Sequence, residues 1–195
     1  MIAGHFGFAA AVKSRAPSVP LWALMLACQW MDVAFIPLFV AGVERMVPAN
    51  PAAPPGAYGN AIIYADDTHS LLGAVALSII FGIAFGLPWG RRAGLILGGM
   101  VLSHWVLDLI THRQDLPLLP GNYGSFPRMG FGLWQWPAAT AALEAAIVLA
   151  GAWLYWSAAR KVAATGGGSE RRANVAGALV LAFGLLTLGL NVAGM

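Results

Sequence analysis

Two histidines and an aspartate recur at intervals of four residues in one apolar stretch of the chain. His104, Asp108 and His112 lie in the run Ser-His-Trp-Val-Leu-Asp-Leu-Ile-Thr-His. Steps of four residues on an α-helix advance about 40° each, so the three side chains share one face. Imidazole nitrogen and carboxylate oxygen are the ligands of zinc and of other first-row transition metals. An ionisable group at membrane depth marks a functional site by default, and the triad therefore predicts a metal site.

The composition around this triad indicates a membrane protein. The chain has 195 residues, of which 59% are hydrophobic and 10% are charged. A soluble domain carries about 25% charged residues. We therefore interpret the basic residues, and the net charge of +3, as markers of membrane topology and not as a nucleic-acid signal. The single cysteine, Cys28, excludes an intrachain disulfide.

Five apolar segments reach the ~20 residues that a membrane-spanning helix needs. They are Pro20–Val43, Thr68–Trp89, Ala93–Thr111, Leu133–Ser157 and Ala173–Ala193. Residues 1–12 are too short to span, and we expect a half-helix that enters from one side and returns to it. The predicted fold class is all-α, a polytopic transmembrane helix bundle. It forms a single domain over residues 1–195, with the metal site in 1–120 and two further helices in 133–195.

The distribution of Lys and Arg predicts the orientation of this bundle in a cytoplasmic (inner) membrane. With the N-terminus inside, the inner segments carry eight basic residues and the outer loops carry three, namely Arg45, Arg113 and Arg128. The positive-inside rule therefore favours a cytoplasmic N-terminus and a C-terminus outside.

With this orientation, the ionisable residues of separate segments fall at similar depths. Asp32 lies roughly 18 Å along its helix and Glu144 roughly 16 Å along its own, so both are near the midplane. His69 begins its segment at the outer end, and the triad from His104 to His112 occupies the outer half. His5 reaches roughly 12 Å into the bilayer. This agreement in depth predicts one site built from several segments, although Glu144 also fits a structural pairing with a buried basic or hydroxyl group.

The predicted metal ligands are His5, Asp32, His69, His104, Asp108 and His112. Their nitrogen and oxygen donors favour a divalent metal, with zinc as the first choice. Asp32 or Asp67 is expected to serve as general base. Asp66 or Asp67 is also expected to cap the helix that begins near Thr68 or His69.

The order of these residues resembles that of a known family. Gly4-His5-Phe6-Gly7 is followed by a Gln-Trp-Met-Asp stretch that ends at Asp32, by Thr-His-Ser-Leu-Leu-Gly at 68–73, and by His104-x3-Asp108. This pattern, over residues 1 to about 120, resembles the membrane-bound metal-dependent hydrolases of bacterial and archaeal inner membranes, which are distantly similar to zinc-dependent phospholipase C. By position, the resemblance implies the ligands His5, Asp32, His69, His104 and Asp108. His112 is an addition to the pattern.

The resulting functional expectation is a metal-dependent hydrolase that acts on a lipid or a lipid-linked phosphoester. Two other functions fit the same residues: a transporter of protons or metal ions, and an accessory structural subunit in which the metal is a staple. Membrane lipids are the expected partners. The last apolar segment has no ionisable residue between Ala173 and Ala193, which suits packing against a partner subunit or a second copy.

Overall fold

The chain is a helical bundle with one small β-hairpin. The computed structural model describes the chain from Met1 to Met195, apart from the Leu87 side chain and Gly167. The helices are α1 (Ile2–Lys13), α2 (Leu21–Cys28), α3 (Trp30–Val40), α4 (Leu71–Gly86), α5 (Arg91–Thr111), α6 (Pro137–Val162) and α7 (Glu170–Val192). Strands β1 (Arg45–Pro48) and β2 (Ala61–Tyr64) pair antiparallel and bracket the proline-rich loop. The all-α class is confirmed, and the hairpin was not predicted.

Three helices, α5, α6 and α7, are long and apolar enough to cross a membrane. The pair α2 and α3 counts as a fourth span if the 47° bend between them is accepted within one crossing. Helix α4 has 16 residues, which is short of the ~20 needed for a span. The predicted number of five spans is thus not confirmed. The predicted segment Thr68–Trp89 forms a shorter helix, α4, because the loop before Leu71 and the turn Leu87–Trp89 take residues from its two ends.

The directions of the helices place the polar cluster and most basic residues at opposite ends of the bundle. Helix α1 runs parallel to α6, because Gly4 contacts Glu144 and Gly7 contacts Ile147. It runs antiparallel to α5, because His5 contacts Asp108 near the C-terminal end of that helix. We call the end with Asp108 the site end. The opposite end, which we call the basic end, carries Lys13, Arg15, Arg91, Arg92, Arg160, Lys161, Arg171 and Arg172.

Helices α4 and α5 approach each other through glycine. A Cβ atom on Gly94 would lie 2.7 Å from the carbonyl oxygen of Gly82, and one on Gly98 would lie 2.9 Å from that of Ser78. Small residues at such positions let two backbones pack closely where no hydrophobic force draws helices together. This contact fixes the position of α5, which carries the polar triad.

The contact predicts different effects for two neighbouring glycines of α5. Gly98→Val forces the new side chain against α4, and overpacking of this kind costs about 1–3 kcal/mol. Gly99→Val is the matched control, because a Cβ at Gly99 meets no described atom within 4 Å. We expect thermal unfolding in detergent to show a lower midpoint for Gly98→Val than for Gly99→Val. Equal midpoints would contradict the close packing of α4 on α5.

Candidate metal centre

All six predicted ligands converge at the site end, although they come from separate elements. His5 lies on α1, Asp32 on α3, and His104 and Asp108 on α5. His69 lies in the loop just before α4, and His112 is the residue that follows the last turn of α5. Two groups of three have ligand atoms within 4.8 Å of one another, namely His5, His104 and Asp108, and Asp32, His69 and His104.

The Asp108 carboxylate is the centre of the cluster. It is 1% exposed, and its Oδ1 atom lies 3.1 Å from His5 Nε2 and 3.5 Å from the Met1 amine. Its Oδ2 atom lies 3.0 Å from His104 Nε2 and 3.4 Å from His112 Nε2. The rings of His5 and His104 stack with centroids 3.9 Å apart. One buried carboxylate therefore holds α1 and the last turns of α5 in a common geometry.

Asp32 forms the second, more open side of the cluster. Its Oδ1 atom lies 3.4 Å from His69 Nε2 and 3.6 Å from His104 Nε2. The Asp32 side chain is 40% exposed, whereas those of His69 and His104 are 4% and 1% exposed. Asp32 is therefore the more accessible of the two carboxylates of the cluster.

Two histidines are oriented by acceptors behind them. His104 Nδ1 lies 2.7 Å from the Cys28 carbonyl oxygen, and His112 Nδ1 lies 3.0 Å from Asp115 Oδ1. Carbonyl and carboxylate oxygens only accept hydrogen bonds, so both Nδ1 atoms carry the proton. In the neutral ring, Nε2 then presents a lone pair, and in both residues this atom faces Asp108 Oδ2.

The Nδ1 atom of His69 also carries a proton, which it donates to a hydroxyl group. Its Nδ1 atom lies 2.9 Å from Thr68 Oγ1, which in turn lies 2.9 Å from Glu44 Oε2. The Thr68 hydroxyl has one hydrogen and donates it to the Glu44 carboxylate, so it accepts the hydrogen bond from His69. The Nε2 lone pair of His69 therefore faces Asp32.

Three imidazoles thus place their Nε2 atoms 3.0 to 3.4 Å from carboxylate oxygens, and a cation, either a proton on the ring or a metal ion, balances the negative charge there. The Nε2 atom of His104 and the Nδ1 atom of His5 are buried without a hydrogen-bond partner among the described residues. Metal-binding histidines characteristically donate their other ring N–H to a carboxylate, carbonyl or similar acceptor. The donor set and its outer partners fit a divalent metal ion.

The two groups of ligands share one atom. Both use His104, whose Nδ1 atom is engaged with Cys28, so a single Nε2 lone pair serves either group. One lone pair binds one metal ion at a time, so the two groups cannot both hold an ion through His104.

Asp67 and Asp66 do not lie where the sequence suggested. The Asp67 carboxylate forms no hydrogen bond or ion pair with another described residue, and its N–H donates to Glu44 Oε1 at 2.9 Å. Asp66 pairs with Arg128 at 2.6 and 2.7 Å. The helix cap is Ser70, whose hydroxyl accepts the Gly73 N–H at 2.9 Å. Asp66 is drawn away because a bidentate guanidinium is a stronger partner than backbone N–H groups.

Several supporting residues had no signal in the sequence. Glu44 accepts a hydrogen bond from Thr68, the neighbour of His69, and Asp115 accepts one from His112. Both acidic residues lie in loops, where their positions in the sequence show no metal-ligand spacing. Trp134 is 9% exposed and packs on His112 with ring centroids 4.2 Å apart. Trp105 donates to the His69 carbonyl oxygen at 3.0 Å and so helps to fix that residue.

Glu144 positions the helix that carries His5. It is fully buried, and its Oε2 atom accepts the Gly4 N–H at 2.9 Å. This N–H belongs to the first turn of α1, where backbone donors lack intrahelical partners and a negative charge is favourable. The other carboxylate oxygen accepts the Tyr58 hydroxyl hydrogen bond. Burial, together with the Glu144 carboxylate, raises the pKa of Tyr58, so the hydroxyl stays a donor at neutral pH.

An ion pair joins the loops that cover the site end. Arg128 donates both to the Asp66 carboxylate and to the Asp115 carbonyl oxygen, which is 3.0 Å away. The hydrogen bonds to Asp66 raise the pKa of Arg128. Its guanidinium also lies over the Tyr64 ring of the hairpin. The hairpin, the loop before α4 and the loop after α5 are thereby fixed to one another around the cluster.

No family model, no curated protein and no solved structure matches the chain.

Removal of Glu144 tests its role as the cap of α1. Glu144→Ala leaves the Gly4 N–H and the Tyr58 hydroxyl without an acceptor, and each buried unsatisfied group costs about 1–3 kcal/mol. Tyr58→Phe is the control, because it removes the hydroxyl and leaves the Gly4 hydrogen bond in place. We expect the midpoint of thermal unfolding to fall furthest for Glu144→Ala, less for Tyr58→Phe, and least for Glu144→Gln, whose amide oxygen still accepts. If Glu144→Ala matches Tyr58→Phe, Glu144 does not cap α1.

Proposed function

We propose that the chain is a membrane-embedded, metal-dependent hydrolase that acts on a lipid or a lipid-linked phosphoester. The observation that carries the proposal is the set of three histidines whose Nδ1 atoms are engaged by outer acceptors. Their Nε2 atoms are left facing Asp108 and Asp32. Histidines that bind a metal ion characteristically donate their other ring N–H to an outer acceptor of this kind, which supports a metal centre here.

The six ligands divide by exposure into a closed and an open group. His5, His104 and Asp108 are all buried, whereas Asp32 opens the group that it forms with His69 and His104. Structural metal sites are closed, and catalytic sites keep a position open for water or substrate. We assign catalysis to the open group. Zinc is the proposed metal because the donors are nitrogen and oxygen.

Asp32, His69 and His104 would hold a divalent metal ion in the open group, and the ion would supply Lewis acidity and lower the pKa of a bound water. Asp32 is then placed to accept a proton, since its carboxylate is both exposed and adjacent to His69 and His104. Asp67 stays a predicted general base, although its carboxylate is not engaged with the cluster. His104, Asp108 and His112 hold the ligand geometry behind Asp32.

The surroundings of Asp32 suit a lipid substrate. Residues four, seven and eight positions after Asp32 share its face of α3. These are Ile36, Phe39 and Val40, which are 58%, 42% and 79% exposed. Apolar side chains that lead to the open carboxylate favour a substrate with hydrocarbon chains over a soluble one.

We also propose an orientation of the bundle in the membrane and a family for the chain. The eight basic residues of the basic end favour its placement in the cytoplasm and the site end outside, with α4 completing five crossings of the inner membrane. The order of His5, Asp32, the 68–73 motif and His104-x3-Asp108 supports membership among membrane-bound metal-dependent hydrolases.

A structural metal staple is the second candidate. It is favoured by the complete burial of His5, His104 and Asp108, which join α1 to α5. In that case the metal stabilises the bundle and no substrate is turned over.

Metal analysis of purified variants tests the proposal. We expect about one transition-metal ion per chain in the wild type and a nearly complete loss in His104→Ala, because both ligand groups use His104. Glu170→Gln, an exposed carboxylate at the basic end, is the control and should keep the metal. Wild-type protein without a transition metal, expressed in zinc-supplemented medium, would refute a metal centre.

Hydrolysis of a fluorogenic phospholipid in vesicles separates the two candidates. For the hydrolase, Asp32→Asn should reduce turnover by about 10²-fold or more while the unfolding midpoint changes little, because it removes a carboxylate that is both a ligand of the open group and a general base. For the staple, no turnover is detected above the chelated control, and chelation lowers the unfolding midpoint.

A further inference from the structure

A second cavity lies at the basic end, away from the metal cluster. A cavity of about 690 Å³ opens at the site end, but one of about 610 Å³ lies between the end of α6 and the start of α7. Its lining includes Trp153, Trp156, Arg160, Lys161 and Glu170. We call it the basic cleft, and we propose that it binds the phosphate headgroup of an anionic phospholipid.

The position of the basic cleft in the fold favours a lipid headgroup as its ligand. Both α6 and α7 are long and apolar enough to cross a membrane, so the end of one and the start of the other lie at the level of lipid headgroups. Basic pockets between transmembrane helices at this level are typical binding places for anionic headgroups.

The charges in and beside the basic cleft favour an anionic ligand. Arg160 and Lys161 line it, and Arg171 and Arg172 follow directly after Glu170 at the start of α7. Glu170 is the acidic residue at this end, and it lies 3.5 Å from Arg160 with both side chains more than half exposed. An exposed pair of this length is weak. The guanidinium therefore keeps donors for a phosphate group.

Two tryptophan side chains, Trp153 and Trp156, line the basic cleft and give it a defined shape. The Trp156 Nε1 atom donates to Asn174 Oδ1 at 2.9 Å, which fixes the ring against α7. Gly177 leaves the space that this ring occupies, since a Cβ there would collide with Trp156. Trp153, 70% exposed, stands three residues earlier on α6. Tryptophan at this depth favours contact with the glycerol region of a lipid.

The experiment compares two double variants that remove the same charge from the same end of the full-length protein. Arg160→Gln/Lys161→Gln changes the basic cleft, and Arg91→Gln/Arg92→Gln changes the start of α5, outside the cleft. Binding of dioleoyl phosphatidylglycerol and of dioleoyl phosphatidylcholine is measured in detergent by native mass spectrometry. Inorganic phosphate serves as a competitor.

We expect phosphatidylglycerol to bind the wild type at least about tenfold more tightly than phosphatidylcholine, because each nearby cation favours an anionic lipid. The cleft variant should lose about tenfold in affinity, and the α5 variant less than about twofold. Trp153→Leu, an exposed position, repeats the test if the charge variant does not fold. Equal losses in both double variants, equal binding of the two lipids, or full displacement by millimolar phosphate would each overturn a lipid site in the basic cleft.

Discussion

The buried carboxylate of Asp108 is the constraint on which the rest of the structure depends. An ionised carboxylate that is 1% exposed has lost its hydration, and leaving it unpaired would cost several kcal/mol. The nitrogen atoms that surround it come from the Met1 amine, from His5 on α1, and from His104 and His112 on and directly after α5. Helix α1 therefore has to lie where its first turn meets the end of α5. Glu144 on α6 holds that turn in place by accepting the Gly4 N–H.

The loops of the site end are as much a part of the centre as the helices. Glu44 acts on His69 through Thr68, and Asp115 holds His112 from the loop after α5. Arg128 ties these loops together through Asp66. Imidazole rings are thus fixed from behind by groups that do not touch the cluster, and their free nitrogens converge. The same bundle carries eight of its basic residues at the other end, so that the two ends suit different partners.

The clustering of these histidines and aspartates could be predicted from the sequence because such a residue inside an apolar segment is conspicuous and costly. Spacing placed His104 and Asp108 on one face, and depth placed His5, Asp32 and His69 between the midplane and the outer surface. The outer partners could not be found in this way, since Glu44 and Asp115 lie in polar loops where acidic residues are ordinary. The number of crossings was also uncertain, because hydropathy alone does not show that Ser70 starts α4 late or that the chain bends at Gln29. The β-hairpin gave no alternating pattern strong enough to detect.

Anomalous diffraction from crystals of the full-length protein grown with zinc tests directly whether His104 binds a metal ion. We expect a peak at the zinc edge within about 2.0–2.2 Å of His104 Nε2. Further ligands should come from Asp108 or Asp32 and from His5 or His69. A structure in which zinc occupies other sites, while His104 Nε2 and the two carboxylates share only protons or water, would contradict it.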